Sequence, residues 1–209
     1  HASDHLLVME FIDADGADDP RAAEHHAAQV MASLHSRTRP EFGLDWDTRI
    51  GGLHQPNDPT DDWLDFFGDR RLRQMAQSAH WAGQLPESTL RRVESVAASL
   101  DDLIDPPDEA SLIHGDAWGG NILFDGDRVA AFIDPAIYYA DPEIELAFTT
   151  LFHTFSDAFY QRYDEIHGIR NGFWERRCDL YNLYPLLVHV RLFGGAYVRQ
   201  LENTIERIM

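Results

Sequence analysis

The sequence contains no lysine: all 17 basic residues are arginine, set against 36 acidic ones, for a formal net charge of −19 over 209 residues. Schiff-base catalysis, a P-loop lysine and a lysine that clamps nucleotide phosphates are therefore excluded within this chain. The shortage of positive charge also argues against nucleic acid or an anionic membrane as partner. The arginines are scattered, with Arg70, Arg71 and Arg73 the densest group, and form no patch able to overcome repulsion from phosphate. A single cysteine, Cys178, leaves no internal disulfide framework and fits a reducing compartment. No apolar run approaches the ~20 residues that span a bilayer. The longest, such as Leu6–Ile12, are far shorter, and no basic segment followed by an apolar one opens the chain. These absences lead us to expect a soluble, cytoplasmic protein.

What is present is enough for a folded domain. With 44% hydrophobic and 11% aromatic residues the chain is globular, and at this length roughly 70% of the unfolded surface can be buried. His5–Ile12 mixes apolar and β-favouring residues and reads as a strand entering an acidic loop. Asp19 stands at an N-cap with Pro20 at the first helical position, and Ala23, Ala27, Val30, Met31 and Leu34 recur at helical spacing up to His35-Ser36. Residues 37–59 are rich in Gly, Pro, Asn and Asp and read as an extended loop, long enough to suspect function. Thr60 is placed to cap a helix through Leu64, Phe67, Leu72, Met75 and Ala79 that stops at Gly83. A further helix carries Leu90, Val93, Ala97 and Leu100. After Pro106-Pro107 come short strands, 111–113, 121–124 and 129–133, the last two joined by an Asp-Gly turn that signals a hairpin. Helical spacing returns from Pro142 to Met209, with Pro185 expected to kink or break the long segment from Trp174. The fold class is α+β, mostly α.

Chemistry concentrates in Ile113-His114-Gly115-Asp116-Ala117-Trp118-Gly119-Gly120-Asn121 and, after the hairpin, Phe132-Ile133-Asp134-Pro135. Two carboxylates and an amide at strand ends can hold a hydroxyl and a divalent ion together. Phosphoryl transfer needs this: a carboxylate to orient the attacking hydroxyl and accept its proton, and oxygen ligands for Mg²⁺ on the nucleotide phosphates. Kinase-like enzymes space these groups as Asp, then Asn five residues on, then a second Asp after the next hairpin, which here are Asp116, Asn121 and Asp134. Each has a plainer reading as a turn residue. A metal-binding pair of His114 with Asp116 would need further histidines at matching spacing, and His25-His26 supply no convincing set. His189 and Tyr197 read as core residues with satisfied polar tips.

HGD-x-x-x-x-N followed by IDP resembles the aminoglycoside phosphotransferase and choline kinase branch of the protein-kinase-like fold. The finer resemblance is to fructosamine kinases, also called ketosamine-3-kinases. Their LHGDLWSGN is similar to Ile113–Asn121, their IDPAxYYGDxExDLA to Ile133–Ala147, and their LYxLYxLLxHxxLFGxxY to Leu180–Tyr197. LHSxxxxxFGxxxxxxIGxxxQxN resembles Leu34–Asn57, and DW-x-x-FF-x-x-x-RL resembles Asp62–Leu72. The chain departs from the pattern at Ala117, Gly119, Ala140 and Glu145, which stand where the family has Leu, Ser, Gly and Asp.

The resemblance implies a kinase using ATP and Mg²⁺ on a small-molecule or protein-bound ketosamine, with Asp116 as base and Asn121 and Asp134 as metal ligands. Backbone groups near Glu10, Phe11 and Ile12 would form the hinge that meets adenine. Trp118, Gln55 and Asn57 would contact the acceptor, and His114 and Glu145 would support the catalytic loop. The resemblance also places the helical segment of His189 and Tyr197 beside the acceptor site, against the plainer reading of both as core. It further implies that residues 1–16 are hinge strand and linker and 17–209 a C-terminal lobe. The N-lobe, with its phosphate-covering loop and lysine, would then lie outside this chain. On that reading the isolated lobe is inactive and its uncovered surface invites self-association. Two alternatives stand beside it: an aminoglycoside or amino-alcohol phosphotransferase of the same fold, and a non-catalytic lobe acting as a binding module.

Overall fold

The structure is a computed structural model and describes residues 2–3, 6–7 and 9–209. Two short strands, β1 (Ala2–Ser3) and β2 (Leu6–Leu7), pair antiparallel, and β3 (Gly16–Ala17) lies further on. The strand expected over 5–12 is therefore corrected. Only Leu6–Leu7 is extended in a ladder, residues 9–12 have no regular structure, and His5 and Val8 lie outside the described residues. Alternating β-favouring side chains make a strand only where a neighbour accepts the backbone groups, and Phe11 is 88% exposed.

Helix α1 (Pro20–His35) starts where the cap predicts: the Asp19 carboxylate accepts from the Ala22 N–H at 3.1 Å. Residues 37–59 are not wholly loop. They contain β4 (Thr38–Arg39) and a hairpin of β5 (Thr48–Ile50) and β6 (Leu53–Gln55) turning on Gly51-Gly52. Helix α2 (Trp63–Asp65) runs on through a π-helical stretch, Phe66–Arg73, into α3 (Gln74–Trp81). Its cap is Asp62, whose Oδ1 accepts from Leu64 and Asp65 N–H at 2.8 and 3.0 Å. Thr60 is diverted from capping because its backbone is bridged to Phe42. Helices α4 (Glu87–Ala97) and α5 (Leu100–Leu103) follow.

Strand β7 (Ala110–Ile113) leads into the loop 114–121, which ends in a 3₁₀ turn (Gly119–Asn121) and the hairpin of β8 (Ile122–Gly126) and β9 (Arg128–Phe132). Strand β10 (Tyr138–Ala140) pairs back onto β7, with Tyr138 opposite Ile113, so the loop's two ends lie side by side. β4 flanks β7 on its other side, and β3 adds a parallel strand to β8. The remainder is helical: α6 (Glu143–Leu151), α7 (Asp157–Ile166), a π-helical turn (Phe173–Arg177), α8 (Cys178–Phe193) and α9 (Ala196–Ile208).

Helix α8 is the centre of the core. Leu180 to Val188 are buried without interruption, packed among α3, α6 and α9. The helix continues through Pro185 and does not break there. Proline removes one backbone hydrogen bond at a cost of about 3 kcal/mol, and burial of apolar side chains on every face outweighs it. The start of α6 is pinned by buried ion pairs. Glu143 accepts from Arg177 Nε at 2.5 Å and from Arg170 Nη2 at 3.0 Å, and Asp141 accepts from Arg170 and from the Tyr181 hydroxyl. Among the described residues no helix is long and apolar enough to cross a membrane.

Candidate active site

The loop 114–121 is held by α6 from below. Glu145, fully enclosed in the first turn of α6, accepts from the His114 and Gly115 N–H groups at 3.0 and 2.6 Å and contacts His35 Nε2 at 2.9 Å. His35 Nδ1 in turn meets the Tyr163 hydroxyl at 2.6 Å. Burial alone would raise the Glu145 pKa. The hydrogen bond and charge of His35, with His114, outweigh it and hold the carboxyl below its ordinary value.

Gly115 must be glycine. Its φ is +82°, and a Cβ there would lie 2.3 Å from the Ala136 carbonyl oxygen. Gly115→Ala is expected to cost at least about 2 kcal/mol, because positive φ alone costs ~1–2 and the methyl meets rigid backbone. Urea denaturation checks this, and an unchanged midpoint would show that the loop can shift freely.

Asp116 follows, half-buried. Its Oδ2 and its backbone carbonyl accept from Asn121 Nδ2 at 3.0 and 2.9 Å, while Oδ1 has no hydrogen-bond partner among the described residues. Its N–H donates to His114 Nδ1 at 3.3 Å, so the His114 proton sits on Nε2, which is buried and unpartnered. Burial pushes the Asp116 pKa up; the Asn121 hydrogen bond and then His114 oppose it, the charges of Glu145 and Asp134 add to the rise, and the net direction is upward. Such a carboxylate is a better proton acceptor than an exposed one. Two backbone hydrogen bonds join the loop to the segment after β9: Ala136 N–H to the His114 carbonyl at 2.8 Å and Ile133 N–H to the Asn121 carbonyl at 2.9 Å. Between them Asp134 is exposed at φ +52°, a left-handed conformation that aspartate tolerates better than most residues.

A cleft of about 390 Å³ opens beside Asp116. Its walls include Trp118, Tyr138 and Phe152, and from α8 Tyr184 and His189. Trp118 is 43% exposed, edge-on to Phe152 with ring centres 6.4 Å apart. Its indole folds over Gly120, where a Cβ would come within 2.3 Å of the ring.

Gln55 and Asn57 do not reach this cleft, which corrects the expectation that they face the acceptor. Both are fully buried. Gln55 bonds Thr48, the Ala136 carbonyl and the Tyr184 hydroxyl, and Asn57 bonds Trp46, Thr48 and the Arg71 guanidinium. Their polar atoms are used up in bracing the cleft floor. His189 and Tyr197, whose residue pattern reads as core while the resemblance sets their segment beside the acceptor, line the cleft half-buried. His35 and Tyr163, which join Glu145 beneath the loop, carry almost no signal in the sequence. The only sequence signal for His35 is its place in the LHS motif. Glu10, Phe11 and Ile12 lie exposed in the segment before β3, apart from the cleft walls.

The donor set suits a hard cation. Asn121 turns its Nδ2 to Asp116, leaving Oδ1 without a partner among the described residues, and Asp134 presents a carboxylate in no ion pair there. Amide and carboxylate oxygens are what Mg²⁺ binds.

The family model described as fructosamine kinase matches residues 1–209. The chain belongs to the fructosamine kinase family. A Synechocystis relative named "probable ketoamine kinase" is 40% identical, covering 100% of this chain and 69% of that protein. The chloroplastic protein-ribulosamine 3-kinase of Arabidopsis thaliana is 30% identical over 91% of this chain and 58% of its own. Among solved structures, a candidate fructosamine-3-kinase of Thermobifida fusca superposes with TM-score 0.88 at 35% identity, covering 96% of this chain and 68% of that one. An aminoglycoside phosphotransferase matches with TM-score 0.56 at 18% identity over 94% of this chain and 69% of its own, a likeness of fold. The chain thus has the protein-kinase-like fold of these phosphotransferases, with mixed α and β content, and family membership makes it a phosphotransferase.

Proposed function

We propose that the protein transfers the terminal phosphoryl group of ATP to a sugar hydroxyl of a ketosamine, with residues 17–209 forming the lobe that holds base, metal ligands and acceptor. The observation that carries this reading is Asp116, its Oδ1 unengaged at the edge of an aromatic cleft, with Asn121 and Asp134 beside it. Asp116 Oδ1 orients the acceptor hydroxyl and takes its proton as the oxygen attacks phosphorus, and Asn121 keeps Oδ2 fixed meanwhile. Asn121 Oδ1 and the Asp134 carboxylate would hold Mg²⁺, which supplies neutralisation of phosphate charge when bound. Backbone groups at Glu10–Ile12 meet the adenine. His114 and Glu145 keep the loop in shape, and Trp118 lies against the sugar face.

An assay of the full-length protein with MgATP, offering a ketosamine, an aminoglycoside and an amino alcohol in parallel, tests the reading. Preference for either of the last two would overturn it. Within it, Trp118→Ala is expected to raise KM for the ketosamine about tenfold while leaving KM for ATP within twofold, since the indole borders only the acceptor cleft. Equal increases in both constants would point to collapse of the loop.

A further inference from the structure

At the side of the cleft formed by the last turns of α8, three aromatic rings surround one imidazole. The His189 ring centre lies 4.9 Å from Tyr197, 5.0 Å from Phe152 and 5.8 Å from Phe193, and all four side chains line the cleft. His189 Nδ1 is 2.7 Å from the Pro185 carbonyl oxygen one turn earlier. A carbonyl can only accept, so Nδ1 carries the hydrogen, and Nε2 of the neutral ring is a bare lone pair. Nε2 has no partner among the described residues and is not sealed from solvent, on a side chain that lines the cleft. Among the described residues, the formally charged side chains on the cleft walls are Asp116 and Glu145, both acidic. The guanidinium of Arg71 is shut behind Tyr138, stacked 3.9 Å from its ring centre and fully buried. An acidic, aromatic cleft free of wall cations favours a positively charged occupant.

We propose that His189 is the specificity residue for the acceptor's amine: Nε2 accepts a hydrogen bond from the substituted ammonium N–H, while Phe152, Phe193 and Tyr197 face its carbon substituents. This rests on the ketosamine reading and deepens it by naming what recognises the nitrogen. Burial holds the His189 pKa below its ordinary value, which keeps the ring in the accepting form at neutral pH.

The test uses the full-length protein with MgATP and three acceptors: a ketosamine with a protonated secondary amine, its quaternary analogue with no N–H, and the corresponding sugar without nitrogen. His189→Phe keeps the ring packing and deletes the acceptor atom. For the secondary amine it is expected to raise KM about tenfold or more, the loss given by one hydrogen bond to a charged group. KM for the quaternary analogue, for the sugar and for ATP should stay within twofold. His189→Gln, which restores an oxygen acceptor, should recover part of the discrimination, and calorimetric binding of the secondary amine should follow the same order. If His189→Phe unfolds, the Gln variant decides, since loss of all discrimination in a folded Gln variant overturns the proposal. Equal effects on all three acceptors would reduce His189 to packing or to a contact with a sugar hydroxyl that all three share, and an effect confined to ATP would place it on the nucleotide side. Either result overturns the amine assignment while leaving the kinase reading standing. Transfer to none of the three by the parent protein would sink both.

Discussion

Asp116→Asn should lower turnover by about 10²- to 10⁴-fold, the range for loss of a general base, while leaving stability nearly unchanged. The substitution keeps size and shape. Its amide oxygen can stay toward Asn121 Nδ2, which now donates at 3.0 Å to Oδ2. The amide NH₂ then replaces Oδ1, the one carboxylate oxygen without a partner among the described residues. An NH₂ cannot take a proton from the acceptor hydroxyl, so chemistry is lost where the fold is not. KM for the ketosamine should change little, because positioning through Trp118 and the cleft walls persists. Steady-state kinetics with parallel denaturation checks both halves, and turnover within a few-fold of the parent would remove Asp116 from its role.

Removing the Asp134 carboxylate should abolish Mg²⁺-dependent nucleotide affinity. In Asp134→Ala a hard oxygen ligand is gone, and an alanine must also adopt φ +52°, which adds strain of about 1 kcal/mol. Asp134→Asn separates the two effects. Asparagine tolerates the left-handed backbone as well as aspartate does, so any loss in that variant belongs to the charge. Calorimetry with ATP in the presence and absence of Mg²⁺ is the measurement. The parent should bind far more tightly with the metal and both variants equally weakly with or without it. Unchanged MgATP affinity in Asp134→Asn would falsify the metal assignment and leave Asp134 as a turn residue.

The sequence alone was sufficient for features with a local cause. Asp19-Pro20 starts α1 because an N-cap oxygen and a preset φ act within one turn, and the Asp-Gly of the hairpin sets the β8–β9 turn within a few residues. The order Asp116, Asn121, Asp134 was legible because loop and hairpin are consecutive, so spacing along the chain already implies proximity. What the sequence could not decide was direction. Gln55 and Asn57 look like loop amides free to meet a ligand, and only the approach of Arg71, Tyr184 and Ala136 from distant segments turns them inward. His189 and Tyr197 sit at core-like helical spacing, and they line a cleft because Ile50 and Gly51 of the β5–β6 hairpin and Ile144 and Phe148 of α6 form its other walls without closing onto them. Pro185 reads as a breaker until burial on every face of α8 outweighs one lost hydrogen bond. Likewise Glu145 reaches the loop 114–121 because α6 is anchored through Glu143 to Arg170 and Arg177. Capping and turn preferences act over a few residues and are written locally, whereas burial and the pairing of polar groups depend on which remote elements meet, and packing alone sets that.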